Sequence, residues 1–203
     1  MENTYNKTLV IILGMHRSGT SCLTGSLQQK GLYLGKVFES NPHNLKGNRE
    51  NDEIMKLNES LFSYNNSSWI EPPSEINWSP QHTLEKDAII NSFIEKNEVT
   101  FGFKDPRAVF TLDFWLDGIK EFKIVSSFRD PYKVANSLAK RNGFSVAQGL
   151  KLWEIYNQRL LNLYAKYNFP IVNFDVTKSA YLKRINSVTK YLNINKPEIV
   201  GNI

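Results

Sequence analysis

The chain has 203 residues, 41% hydrophobic and 22% charged, the proportions of one ordinary globular domain, and a formal net charge of +5. That composition disfavours intrinsic disorder, and the longest apolar run, Leu9 to Leu13, is far too short to cross a bilayer. Cys22 is the single cysteine, so no intrachain disulfide can form, and the positive balance points to an anionic partner: nucleotide, nucleic acid or acidic glycan. The amino terminus has no basic cluster ahead of an adequate apolar stretch, which makes the cytoplasm the expected location. His16, His43 and His82 share no helical spacing, so no metal site is expected. With no repeat, low-complexity tract or linker, residues 1–203 read as one domain with a core over about 8–192.

Thr8 to Leu13 is a continuous apolar run ending at Gly14, as expected of a strand buried on both faces of a parallel sheet. A helix follows from Thr20 to Gln29, stopped by Gly31. Polar, turn-rich Glu39 to Asn48 predicts a loop, and Ile54, Leu57, Leu61 and Phe62 predict a helix over Glu50 to Phe62. Tyr64 to Pro80 reads as an aromatic-bearing loop, either a surface lid or, the reading somewhat favoured, ordinary packing, ahead of a helix over Thr83 to Lys96. A short strand, Val99 to Phe103, leads to the turn Lys104-Asp105-Pro106-Arg107. Phe122 to Phe128 is a second buried strand, after which Asp130 can cap, and Pro131 open, a helix. Ser145 and Gln148 form a capping-box pair at the start of the longest helix, Ser145 to Tyr167. A strand over Pro170 to Phe174 and a helix over Lys178 to Leu192 complete the series. Alternating strands and helices predict a three-layer α/β/α fold around a mostly parallel sheet.

Gly14-Met15-His16-Arg17-Ser18-Gly19-Thr20-Ser21 lies between the first strand and helix, the arrangement of a phosphate-binding loop. Its Gly-x-x-x-x-Gly spacing matches a nucleotide triphosphatase loop, but Thr20 stands where that loop carries lysine. The cation is instead Arg17, whose guanidinium can grip phosphate oxygens in pairs, while Ser18, Thr20 and Ser21 add hydroxyls. Arg129 leaves the carboxyl end of the strand Phe122 to Phe128, and Ser137 lies two turns along the next helix, within reach of the same anion.

Together these segments resemble the sulfotransferases that use 3′-phosphoadenosine 5′-phosphosulfate (PAPS), in the bacterial and carbohydrate-type branch, over about residues 8–192. The resemblance extends to Lys104-Asp105-Pro106-Arg107, to Trp153-Glu154-x-Tyr156-Asn157 and to Phe174-Asp175. It implies a P-loop nucleotide-hydrolase-like fold and transfer of a sulfonate to a hydroxyl or amine of a carbohydrate or small metabolite, releasing 3′,5′-adenosine bisphosphate (PAP) without a metal. On that resemblance Gly14, His16, Arg17, Ser18, Gly19, Thr20 and Ser21 hold the 5′-phosphosulfate, and Arg129 and Ser137 hold the 3′-phosphate. Lys104 and Arg107 stabilise the sulfonate or position an anionic acceptor, with Glu39, His43 and Asp105 also on the acceptor side. Glu50 is the first candidate for general base, Glu39 the second, and His16 and His43 stand behind them. Two rivals remain: an ATP-dependent phosphotransferase, disfavoured by the missing loop lysine, and a non-catalytic nucleotide- or glycan-binding protein. Lys178, Lys183, Arg184 and Lys190 read as a solvated helix face, so neither nucleic acid nor a membrane is an expected partner.

Overall fold

A computed structural model describes residues 7–38, 47–96 and 99–194. Four strands, β1 (Thr8–Leu13), β2 (Thr100–Lys104), β3 (Phe122–Phe128) and β4 (Ile171–Asn173), form one sheet in the order β2-β1-β3-β4, with every pairing parallel. All four carboxyl ends therefore lie along one edge. The chain leaves β1 for a neighbour on one side (β2) and then crosses to the other (β3), so β1 marks the switch point at which open sheets of this kind bind ligands.

The seven helices among the described residues are α1 (Thr20–Gln29), α2 (Asp52–Tyr64), α3 (Pro80–Ile94), α4 (Ala108–Leu116), α5 (Pro131–Asn142), α6 (Val146–Tyr167) and α7 (Lys178–Leu192). Alternation along β1 divides them into two layers. Leu9, Ile11 and Leu13 join the core under α2, α3, α4, α5 and α6, whereas Val10 and Ile12 join that under α1 and α7. The sheet is thus covered on both faces, and the central strand β1 has no solvent-facing side. That is why β1 reads as an unbroken apolar run rather than as an alternating pattern.

Local signals set most of the element ends. Asp130 caps α5 by accepting from the Lys133 amide, with Pro131 behind it, and Ser145 and Gln148 form the reciprocal capping box of α6. Ser79 and His82 make a similar pair that starts α3 at Pro80, three residues ahead of the expected Thr83. Asn51, not Glu50, caps α2, leaving Glu50 outside the helix, next to its cap. Lys104 proves to be the last residue of β2 rather than part of the following turn. The helix α4 has no counterpart among the expected elements. Seven of its nine residues are buried, so it carries no amphipathic stripe from which a helical period can be read. Within the stretch 64–80, Trp69 stacks on Phe144 with centroids 5.7 Å apart, and Trp78 meets Phe114 edge-on at 5.6 Å, so this aromatic loop packs on the body of the protein.

Candidate active site

β1 ends at Leu13 and the chain turns through Gly14–Gly19 into α1. Gly14 has φ 143°, and a Cβ there would lie 2.8 Å from the Ser127 carbonyl, so only glycine lets the loop lie this close to β3. Gly19 has φ 84°, and its Cβ would come within 2.4 Å of the Phe174 ring. Between them Arg17 adopts a left-handed backbone with φ 67°, which costs a side-chain-bearing residue roughly 1 to 2 kcal/mol. Contacts from β3 hold that conformation in place. The Ser127 hydroxyl donates to the Ser18 carbonyl, and Arg129 Nη1 donates to the Arg17 carbonyl at 3.1 Å.

The loop delivers the chain to the start of α1 with unpaired donors. The first bond of the helix runs from the Leu23 amide to the Gly19 carbonyl at 3.1 Å, so the Gly19, Thr20, Ser21 and Cys22 amides have no acceptor within the helix. α1 has no side chain capping its first turn and no acidic residue there. Its positive end is therefore uncompensated, which favours an anion.

In front of this helix start lies a cleft of about 250 Å³. His16, Arg17, Thr20 and Ser21 form one wall, and Glu50, Lys104 and Arg107 line it together with Asn48, Met55, Pro106 and Arg141. Arg17 Nε donates to Ser137 Oγ at 2.7 Å, joining the loop to α5. Lys104 Nζ lies 2.5 Å from Glu50 Oε1, and the Asn48 amide donates to Glu50 Oε2 at 2.7 Å, so the carboxylate is held at both oxygens. Lys104 is almost fully buried and Glu50 nearly so; each cancels a charge the other could not carry alone.

Arg107 is equally committed. Its Nη1 meets Asp105 Oδ1 and Oδ2 at 3.0 and 2.9 Å, and its Nη2 meets Glu59 Oε1 at 2.6 Å. Burial opposes the Arg107 charge, but the Asp105 and Glu59 carboxylates outweigh it and raise the pKa. Asp105 has no exposed surface, and burial pushes its carboxyl up to about 6 against the pull of Arg107. Asp105 thus stands behind the cleft as the partner that fixes Arg107, not as a residue facing an acceptor.

His16 packs between Trp69 and Tyr156, with ring centroids 4.7 and 6.1 Å away. Its pKa falls well below the ordinary histidine value because it is buried and because Arg107, Lys104, Arg141 and Arg17 surround it, so the ring is neutral at pH 7. Its Nε2 is enclosed and has no hydrogen-bond partner. Arg17 is depressed in the same sense by burial, then by Arg141 and Arg129, which leaves a guanidinium still charged at pH 7 and in want of a counter-ion.

Of the residues singled out from sequence, the cleft gathers His16, Arg17, Thr20, Ser21, Glu50, Lys104 and Arg107. Gly14 and Gly19 shape the loop, while Ser18 is buried with its hydroxyl turned away from any partner. Arg129 and Ser137 stand behind Arg17 rather than in the cleft. Arg129 also pairs with Asp175 at 3.5 Å and stacks 5.1 Å over the Phe174 ring. Glu39 and His43 lie outside the described residues. Sequence reasoning overlooked Arg141, Asn48 and Glu59. Arg141 was open to detection, being four residues after Ser137 on a helix and hence on its face. Among the described residues no group of three or more His, Cys, Asp or Glu side chains could hold a metal ion, and no helix is long and apolar enough to cross a membrane.

No family model matches the chain, and no curated protein matches it by sequence. Solved structures do resemble it. The sulfotransferase domain of the Synechococcus PCC 7002 olefin synthase aligns over 97% of this chain and 77% of its own, at 17% identity and a TM-score of 0.59. A sulfotransferase from Mycobacterium tuberculosis H37Rv aligns over 93% of this chain and 68% of its own, at 14% identity and a TM-score of 0.49. A shikimate kinase from Bacteroides thetaiotaomicron gives 92%, 98% and 11%, also at 0.49. Identities this low speak to architecture alone: the chain has a P-loop-like α/β fold of the kind seen in a sulfotransferase domain.

Proposed function

We propose that the protein is a sulfotransferase that takes the sulfonate of PAPS and passes it to a hydroxyl or amine of a carbohydrate or small metabolite. One observation carries this reading. Arg17, the loop cation, meets Ser137 of α5 at 2.7 Å beside an uncapped helix start, and across the same cleft stands the Glu50–Lys104 pair.

On this reading the amides opening α1, with the Thr20 and Ser21 hydroxyls, bind the 5′-phosphate. Arg17 neutralises the charge that grows on the bridging oxygen as the sulfur–oxygen bond breaks. Arg129 and Ser137, flanking Arg17 from behind, receive the 3′-phosphate that marks this donor. Lys104 uses one N–H on Glu50 and has two more for the sulfonate oxygens. Each Glu50 oxygen accepts one hydrogen bond and keeps a second lone pair, with which Glu50 takes the proton of the attacking group as the new bond to sulfur forms and PAP departs. Glu50 needs only to be held in the cleft for this role, and Lys104 and Asn48 hold it.

A phosphotransferase reading asks for a carboxylate at a strand end free to hold magnesium. Asp105, directly after β2, has both oxygens on Arg107 and no exposed surface, which weighs against that use. Calorimetry separates the two. PAP binding in EDTA, with sulfonate transfer from labelled PAPS to a panel of glycan, phenol and amine acceptors, supports the proposal. Magnesium-dependent ATP binding with no affinity for PAP overturns it.

A further inference from the structure

Four cations line the cleft: Arg17, Lys104, Arg107 and Arg141. Two are already matched, Lys104 by Glu50 at 2.5 Å and Arg107 by Asp105 and Glu59 at 2.9 and 2.6 Å. Their charge is spent inside the protein. The expectation that Lys104 or Arg107 draws in an anionic acceptor therefore loses its basis, since neither offers an unbalanced charge. Arg17 sits at the helix start and is taken by the donor. Arg141 remains, exposed and without a carboxylate at ion-pair distance among the described residues.

Its position separates it from Arg129 and Ser137, the pair given to the 3′-phosphate. Arg141 follows Ser137 by one turn of α5, about 6 Å further along the axis and on the same face. Among the described residues it lines the cleft together with Arg17, Thr20, Ser21, Glu50, Lys104 and Arg107, whereas Ser137 and Arg129 do not. Arg141 thus reaches the cleft that holds Glu50, one turn beyond the residue given to the 3′-phosphate. The dipole at the end of α5 does not account for this placement, because Lys140 in the same turn supplies equal charge without lining the cleft. Two unmatched guanidinium groups on one small cleft repel each other, and a single compact anion near Arg141 relieves that repulsion. The planar fork of Arg141 suits a carboxylate or a sulfate, either of which it can grip through two parallel hydrogen bonds.

Resting on the sulfotransferase reading, we propose that the acceptor is anionic and that Arg141 holds its carboxylate or sulfate group at the mouth of the cleft while the hydroxyl or amine to be modified faces Glu50. The protein acts on this view on an already acidic molecule, a uronic acid or a partly sulfated sugar being the fitting class.

The test uses the full-length protein saturated with PAP, so that the donor end is occupied. Sodium sulfate and, separately, sodium acetate are titrated at constant ionic strength, and the amide resonances of residues 139–143 are followed by NMR. Saturable shifts are expected with at least one of the two anions. Arg141→Gln should weaken that binding tenfold or more while leaving PAP affinity within threefold, and Arg141→Lys should fall between. Because Arg141 is exposed at a helix end, both variants should keep the thermal midpoint of the parent. If PAP-loaded parent protein binds neither anion, or if Arg141→Gln binds them as well as the parent, Arg141 is not an acceptor site. A tenfold loss of PAP affinity in Arg141→Gln would assign the residue to the donor instead. Failure of the parent to bind PAP at all would sink the sulfotransferase reading, and is read before any anion is added.

Discussion

Arg17 and Ser137 are 120 residues apart in the chain and 2.7 Å apart in the structure, Nε to Oγ. The contact joins the loop after β1 to the helix after β3, and the proposal gives the two side chains different phosphates. Single substitutions distinguish direct binding from mere support. If Ser137 grips the 3′-phosphate, Ser137→Ala should lose about 1.5 kcal/mol of PAP affinity, or about tenfold, with little change for AMP, which lacks that group. Equal losses for both nucleotides would mean that Ser137 acts only by holding Arg17. Arg17→Ala should lower transfer by roughly 10² to 10³, the range for removing one donor aimed at developing charge.

Glu50 and Lys104 form a buried ion pair in the cleft, and their stability and activity roles should separate in a double-mutant cycle. Glu50→Ala leaves the Lys104 ammonium buried without its counter-charge and should cost about 3 kcal/mol of folding stability. Lys104→Met in the Glu50→Ala background should recover most of that loss, since no lone charge then remains. Transfer should stay down by 10² or more in both, because no carboxylate is left to take the proton. Urea denaturation gives the first result and a labelled-PAPS assay the second. Normal turnover in either variant would remove Glu50 from the mechanism.

The sequence carries most of this fold for reasons visible in particular elements. β1 is apolar on both faces because helices cover both sides of the sheet, and α5 and α6 announce themselves through Asp130-Pro131 and the Ser145–Gln148 box. The helix α4 escaped because burial on all sides erases the helical period. Loop cations and strand-end arginines were legible for similar local reasons. Their long-range counter-charges were not. Glu50 is 54 residues from Lys104, and Glu59 is 48 from Arg107, so local spacing could not reveal that two of the cleft's cations are already neutralised.

Gly19 should tolerate no side chain. Its φ of 84° is unfavourable for any residue with a Cβ, and that atom would fall 2.4 Å from the Phe174 ring, which carries the Arg129 guanidinium on its face. Gly19→Ala must therefore shift the loop, the ring or both. The expected outcome is a loss of about 1 to 3 kcal/mol in stability, together with a loss of PAP affinity of tenfold or more. Parent-like PAP binding in a properly folded Gly19→Ala protein would show that the loop does not hold the phosphate through its present shape.

Asp105 makes stability depend on pH in the direction opposite to that of most carboxylates. Burial raises Asp105 to about 6, so the native protein holds a proton there that the unfolded chain, near the ordinary aspartate value of about 3.9, has already released. Between those values the native state binds more protons at Asp105 than the unfolded one, and this contribution to stability must fall as pH rises. The contribution is fully present below about pH 4 and gone above about pH 6, on the order of 2 to 3 kcal/mol across the window. Asp175 acts in the opposite sense. Although burial pushes its pKa up, the Asp130 amide and Lys133 overcome that and hold it below the ordinary value, so its stabilisation is lost only as pH drops under about 4. The two windows do not overlap. His16, kept neutral in the fold by burial and its cationic neighbours, pulls the other way in this window, so the Asp105 contribution is read as a difference: as pH rises from 4 to 7 the urea midpoint of the parent should fall relative to that of Asp105→Asn. A slope left unchanged in Asp105→Asn would mean that Arg107 keeps Asp105 ionised across the whole range, and that the pair is an ordinary ion pair despite its burial.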